Sequence, residues 1–130
     1  TSLVAERSHP LLREHLPDAV RVCGPDALEE AAAGVEVAVL GANSHGARSL
    51  AGMIAGHLGG ARAAVSVAKG LEPDTGLRMS EVYTAALPGV PVVAVGGPCL
   101  ASELAEGLPT AGVWAANPES VAREAVESTR

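Results

Sequence analysis

Lys69 closes an apolar run, Ala63-Ala64-Val65-Ser66-Val67-Ala68, and is followed at once by Gly70. A second apolar run, Pro91-Val92-Val93-Ala94-Val95, ends in Gly96-Gly97-Pro98-Cys99-Leu100-Ala101. A lone cation and a glycine-rich turn thus each stand where a strand should stop. An ammonium there can pair with a phosphate or polarise a carbonyl oxygen, and open α/β sheets bind ligands outside the carboxyl ends of their strands. The other reading of Lys69 is a solvated surface lysine, and spacing alone leaves the two open.

Other candidate groups offer less. Gly41-Ala42-Asn43-Ser44-His45-Gly46 lies between a strand-like and a helix-like segment. A G-x-G-x-x-G dinucleotide fingerprint needs glycine where Asn43 stands, and an acidic residue about 20 positions later. The next strand instead ends in Ala68-Lys69, so an ordinary strand–helix turn near a ligand is the expectation. A P-loop fits no better, because Gly46 is followed by Ala47-Arg48. Ser44 and His45 are sequence neighbours with no third orienting group, which argues against a nucleophile–base pair. His9, His15, His45 and His57 lack metal-ligand spacing, and no metal is expected. Cys99, at a predicted helix start, reads either as a reactive thiol or as a small residue filling a tight turn.

These groups sit in a chain of 130 residues, the length of one domain. Apolar residues make up 48%, with no Phe, one Trp and one Tyr. The core must therefore be Val, Leu and Ala. The formal charge of −6 and the absence of a basic run argue against nucleic acid as a partner. Cys23 and Cys99 form no zinc or redox motif. No apolar stretch approaches the ~20 residues of a membrane span. With no signal peptide and no disulfide pattern, a cytoplasmic location is expected. Thr1 in place of an initiator Met suggests a fragment or a processed product.

The positioning elements follow from periodicity. Residues 1–18 carry little pattern, apart from one expected helical turn at 11–16 between Pro10 and Pro17. Val20-Arg21-Val22 suggests a short strand. Gly24-Pro25-Asp26 opens a helix that stops at Gly34. A strand follows over 35–40. The next helix, with Asn43 or Ser44 as its cap, carries Ala47, Leu50, Ala51, Ile54 and Leu58 on one face. After the strand at 63–68 and a polar turn at 70–76, a helix presents Met79, Val82, Tyr83, Ala86 and Leu87. The strand at 91–95, a short helix at 100–106, a strand at 110–115 and a final helix capped by Asn117 complete the order. Five strands alternating with five helices imply a parallel sheet covered on both faces, with right-handed crossovers.

Several stretches together are similar to the NAD(P)-dependent glycerol-3-phosphate dehydrogenases. They are Lys69-Gly70-Leu71-Glu72-Pro73, then Met79-Ser80-Glu81-Val82, then Gly97-Pro98-x-x-Ala101-x-Glu103-x-Ala105-x-Gly107-Leu108-Pro109-Thr110-Ala111. Val39 to Arg48 resembles the family's fourth-strand turn, usually V-P-S-x-x-x-R. The resemblance runs from Val20 to Glu127. It implies a Rossmann-like parallel α/β sheet, lacking its first βαβ unit, and places residues 1–130 in a partial NAD(P)-binding N-terminal domain with no second domain present.

The resemblance also implies the chemistry: hydride transfer between dihydroxyacetone phosphate and glycerol 3-phosphate, with NAD or NADP as cofactor. By position, Lys69 falls on a residue contacting both substrate and cofactor, Gly97 and Cys99 on substrate contacts, and Ala101 on a cofactor contact. No catalytic residue is expected in this chain. The family's G-x-G-x-x-G would lie upstream of Thr1, and its proton-donating lysine and phosphate-binding arginine beyond Arg130. The 130 residues alone are therefore expected to be inactive, and a homo-oligomer is compatible with the family. The chain departs from the usual G-P-[ST]-F-A turn at Cys99 and Leu100. A thiol donates more weakly than a hydroxyl, and this departure keeps a second reading open, a non-catalytic binding or interaction module.

Overall fold

The computed structural model of the protein describes residues 2–9, 12 and 15–129. A short helix α1 (Ser2–Glu6) leads, through irregular chain, to a 3-10 turn (Pro25–Ala27) and α2 (Leu28–Ala32). Then follow β1 (Val37–Leu40), α3 (Ala47–Ile54), β2 (Ala63–Ser66), α4 (Met79–Ala86), β3 (Val92–Gly96), α5 (Ala101–Ala105), β4 (Val113–Ala115) and α6 (Glu119–Ser128). The strands form one sheet in the order β1-β2-β3-β4. β1 pairs with β2, and β2 with β3, in parallel, with Val39 opposite Val65 and Val65 opposite Val93. Among the described residues no helix is long and apolar enough to cross a membrane.

The sheet has a core on each face. On one face Ala47, Ala51, Ile54 and Leu58 pack with Met79, Val82, Tyr83 and Leu87 over Leu40 and Ala64. The spacing of both sets is that of one helical face. Ala47 and Ala51 are buried in this core, where α3 packs beside α4. On the other face Ala122 and Ala125 of α6 meet Ala63, Val65 and Val93. All four residues of β2 are buried, as befits a parallel strand covered on both sides. The architecture is the expected Rossmann-like α/β arrangement, with helices on both faces.

Four expectations need correction. First, β4 runs antiparallel to β3, with Trp114 opposite Val95. A parallel return must carry the chain back along the whole of β3, roughly 16 Å at a strand's rise per residue. The five residues of α5 rise only about 7.5 Å. Gly107 (φ +70) then ends α5 with its N–H on the Leu104 carbonyl, 3.1 Å away, and the chain re-enters at the same end. Second, residues 20–22 form no strand; the carbonyl of Val20 accepts from Arg7 Nη2 at 2.9 Å instead of from a ladder. Third, Asn43 caps the turn before α3 rather than the helix itself: its Oδ1 accepts from Gly46 N at 2.9 Å. Fourth, Asn117 provides no cap; α6 starts at Glu119 with no side-chain cap at Pro118. α1 carried too little pattern to anticipate, and the turn expected at 11–16 falls largely outside the described residues.

Tyr83 carries the only phenol of the chain. Its ring is fully buried, and its hydroxyl has no hydrogen-bond partner among the described residues. Burial also raises the phenol's pKa. An unmade hydrogen bond in a core is destabilising, so Tyr83→Phe should raise the unfolding free energy by about 1 kcal/mol, measured by urea titration followed by circular dichroism.

Candidate active site

Lys69 leaves the sheet three residues after the last position of β2 and turns toward the loop that follows β3. Its Nζ donates to the carbonyl of Gly97 at 2.9 Å and to that of Cys99 at 3.1 Å. Thr110 Oγ1 donates to the carbonyl between them, that of Pro98, at 3.3 Å. All three consecutive carbonyls of the turn therefore have side-chain donors. An ammonium carries three donors, and among the described residues no group accepts the third N–H of Lys69.

The turn itself needs glycine. Gly97 has φ +110, and a Cβ there would stand 3.1 Å from the carbonyl oxygen of Ala111 and 3.3 Å from Cα of Gly112. The backbone before β4 passes too close for a side chain. Cys99 Sγ lies 3.9 Å from the Gly97 carbonyl, a long contact that points the thiol back at its own turn.

Above this turn lies a cleft of about 360 Å³. Its apolar walls come from Val67, Val95, Leu104 and Trp114, with Lys69 and Thr110 as polar groups. Cys99 and Ala101 line the same cleft. The structure thus brings together the four residues singled out in the sequence: Lys69, Cys99 and Ala101 line the cleft, and Gly97 is tied to it through Lys69. A more open groove of about 440 Å³ runs between β4 and α6, but Glu119 and Glu127 line it and Arg123 is paired with Glu119 at 2.9 Å. That groove has the wrong sign for an anion.

A second cluster braces the loop after Lys69. Arg48 of α3 meets Glu72 side-on, Nε to Oε1 and Nη2 to Oε2, both at 2.7 Å. The Thr75 hydroxyl donates to Glu72 Oε2 as well. Glu72 is 7% exposed. The Arg48 guanidinium, helped by Thr75, holds its carboxyl down at about 2, against an ordinary value of 4.5. Glu72 and Arg48 both lie in the motifs read from the sequence, but nothing in their spacing showed that they meet. Trp114 and Thr110 were likewise missed as cleft residues, because both depend on β4 turning back. Ser44 and His45 stand beside Arg48 at a separate polar hollow. Among the described residues no group of three or more His, Cys, Asp or Glu side chains is placed to hold a metal ion.

A family model described as the N-terminus of NAD-dependent glycerol-3-phosphate dehydrogenase matches residues 5–122. The chain belongs to this family. The glycerol-3-phosphate dehydrogenase (NAD(P)+) of Synechococcus sp. (strain RCC307) is 44% identical over 98 residues, covering 75% of this chain and 32% of that protein. The enzyme of the same description from Desulfitobacterium hafniense (strain Y51) is 40% identical over 113 residues, 86% of this chain and 31% of its own. A crystal structure of glycerol-3-phosphate dehydrogenase from Coxiella burnetii superposes with a TM-score of 0.81 at 25% identity, over 97% of this chain and 38% of that one. The chain spans about a third of the length of the curated dehydrogenases it matches. The cleft and its lysine lie within the region the family model matches.

Two outcomes follow from this geometry. Gly97→Ala should cost roughly 1–3 kcal/mol from backbone strain alone, read as a lowered denaturant midpoint. The folded pKa of Glu72 lies below its unfolded value, so the pairing stabilises fully above pH 4.5 and is lost as pH falls toward about 2. Glu72→Gln should flatten the acid-unfolding curve across that window by about one proton, as followed by circular dichroism.

Proposed function

We propose that this chain is part of the NAD(P)-binding domain of a glycerol-3-phosphate dehydrogenase that interconverts dihydroxyacetone phosphate and sn-glycerol 3-phosphate in the cytoplasm. The observation that carries the reading is Lys69. It reaches from the end of β2 to the turn after β3 with one N–H to spare, at the mouth of a cleft, inside the stretch that the family model matches.

The residues present suit a nicotinamide cofactor and a small phosphorylated substrate. Val67, Val95 and Trp114 give apolar walls against which a flat ring can lie, while Lys69 gives the cation that an anionic substrate needs. NAD or NADP, when bound, supplies or accepts the hydride. Lys69 then contacts both molecules. Its free N–H holds the oxygen of the substrate's central carbon, and its charge stabilises the negative charge that grows there as the carbonyl is reduced. Water-poor apolar walls strengthen that stabilisation. Gly97 and Cys99 contact substrate, and Ala101 contacts the cofactor.

Two parts of the chemistry are assigned elsewhere. The turn at 41–46 does not suit a pyrophosphate, because its Gly46 amide is already bonded to Asn43 Oδ1 at 2.9 Å. The pyrophosphate turn, the proton donor and the phosphate-binding arginine belong to segments flanking these 130 residues, so the chain by itself has no turnover.

Expressed with its flanking coding sequence, the protein should oxidise NADH or NADPH in the presence of dihydroxyacetone phosphate. Lys69→Ala in that protein should lower turnover by roughly 10²–10³-fold, while the purified 130-residue chain should show none. A parent protein that binds but never reduces dihydroxyacetone phosphate would favour the non-catalytic module, the reading that Cys99 and Leu100 in the turn motivate. A near-normal rate for Lys69→Ala would remove that residue from the site.

A further inference from the structure

We infer that Arg48 and Glu72 are positioning residues for Lys69: they fasten the loop after β2 to α3 and so fix where the ammonium points. The inference rests on the dehydrogenase reading above.

Glu72 is the one buried charged side chain among the described residues. A carboxylate out of water is tolerated only when its lone pairs are engaged. Here the two oxygens accept from Nε and Nη2 of Arg48, both at 2.7 Å, and one of them also from the hydroxyl of Thr75. Two parallel bonds from a planar guanidinium set direction as well as distance. The backbone of Glu72 is held equally firmly. Its N–H donates to the Leu77 carbonyl at 2.8 Å, and its own carbonyl accepts from Gly76 N at 2.8 Å. Leu71 bridges antiparallel to Arg78. Residues 71–78 are therefore a closed loop with Glu72 at its base, and Arg48 ties that base to a helix packed on the core.

Lys69 stands just before this anchor. Between them lies Gly70, with φ +96 and nothing within 4 Å of where a Cβ would be. A glycine in open space lets the chain swivel. β2 holds the chain ahead of Lys69, and nothing but the loop holds it behind. The ammonium must nonetheless meet two carbonyls 28 and 30 positions later in the sequence. Fixing Glu72 removes the freedom that Gly70 brings.

The test is a double-mutant cycle on kcat/KM for dihydroxyacetone phosphate in the full-length protein, at saturating cofactor and well below each variant's unfolding temperature. Arg48→Ala should lower kcat/KM by about 10- to 100-fold, the effect of a small misplacement of a catalytic group. Added to Lys69→Ala, it should cost less than about threefold more, because it acts only through Lys69. Arg48→Lys and Glu72→Gln, which keep one bond of the pair, should fall between wild type and Arg48→Ala and serve in its place if that variant does not fold. Losses that multiply in the double variant overturn the inference. So does a crippled Lys69→Ala beside a near-normal Arg48→Ala, which leaves the dehydrogenase reading standing. A near-normal Lys69→Ala overturns both.

Discussion

Strand β2 has no solvent face. Ala63 and Val65 pack toward α6, and Ala64 belongs to the core under α3 and α4. A strand walled in on both sides can carry no polar side chain that reaches water along its length, so the chain can become polar only where the sheet ends. Lys69 is placed by that constraint. β3 is less enclosed, with Val93 alone fully buried, and it ends in Gly96, with Gly97 next. Two strands held in parallel register deliver their ends side by side. The lysine from one end can then reach the carbonyls of the other.

What the sequence made legible follows the same physics. The apolar runs at 63–68 and 91–95 and the helical faces of Ala47–Ile54 and Met79–Ala86 are long, periodic signals set by burial, and the structure keeps them. The direction of β4 is a different kind of fact. Its three residues look like any short strand, and whether they pair parallel or antiparallel depends on how far α5 carries the chain. Residues 20–22 show the opposite failure: a good strand pattern becomes a strand only beside a neighbour, and Arg7 occupies the carbonyl of Val20.

The site was legible to the same extent. Lys69 and the glycine turn at 96–97 stood out because strand ends mark themselves in one dimension, whereas Cys99 and Ala101 entered as contacts only by their position in the family's motif. The pairing of Arg48 with Glu72 could not stand out, because 24 residues separate them and only the packing of α3 beside the loop makes them neighbours. Both lay inside recognisable motifs, so the residue types were visible while the contact was not. Thr110 is similar. Its bond to the Pro98 carbonyl exists because the chain returns to the turn before entering β4.

Trp114 sits on the strand that turns back, where it lines the cleft and packs against the α6 face of the sheet. It is the sole indole in the chain. Excited beyond the absorption of Tyr83, these residues therefore emit from a single indole, at the wall between the cleft and the groove beside α6. A reduced nicotinamide lying nearby absorbs in the range where an indole emits. If the proposed cofactor binds in this cleft, the indole gives an optical gauge of that binding, which needs no label and no turnover to be read.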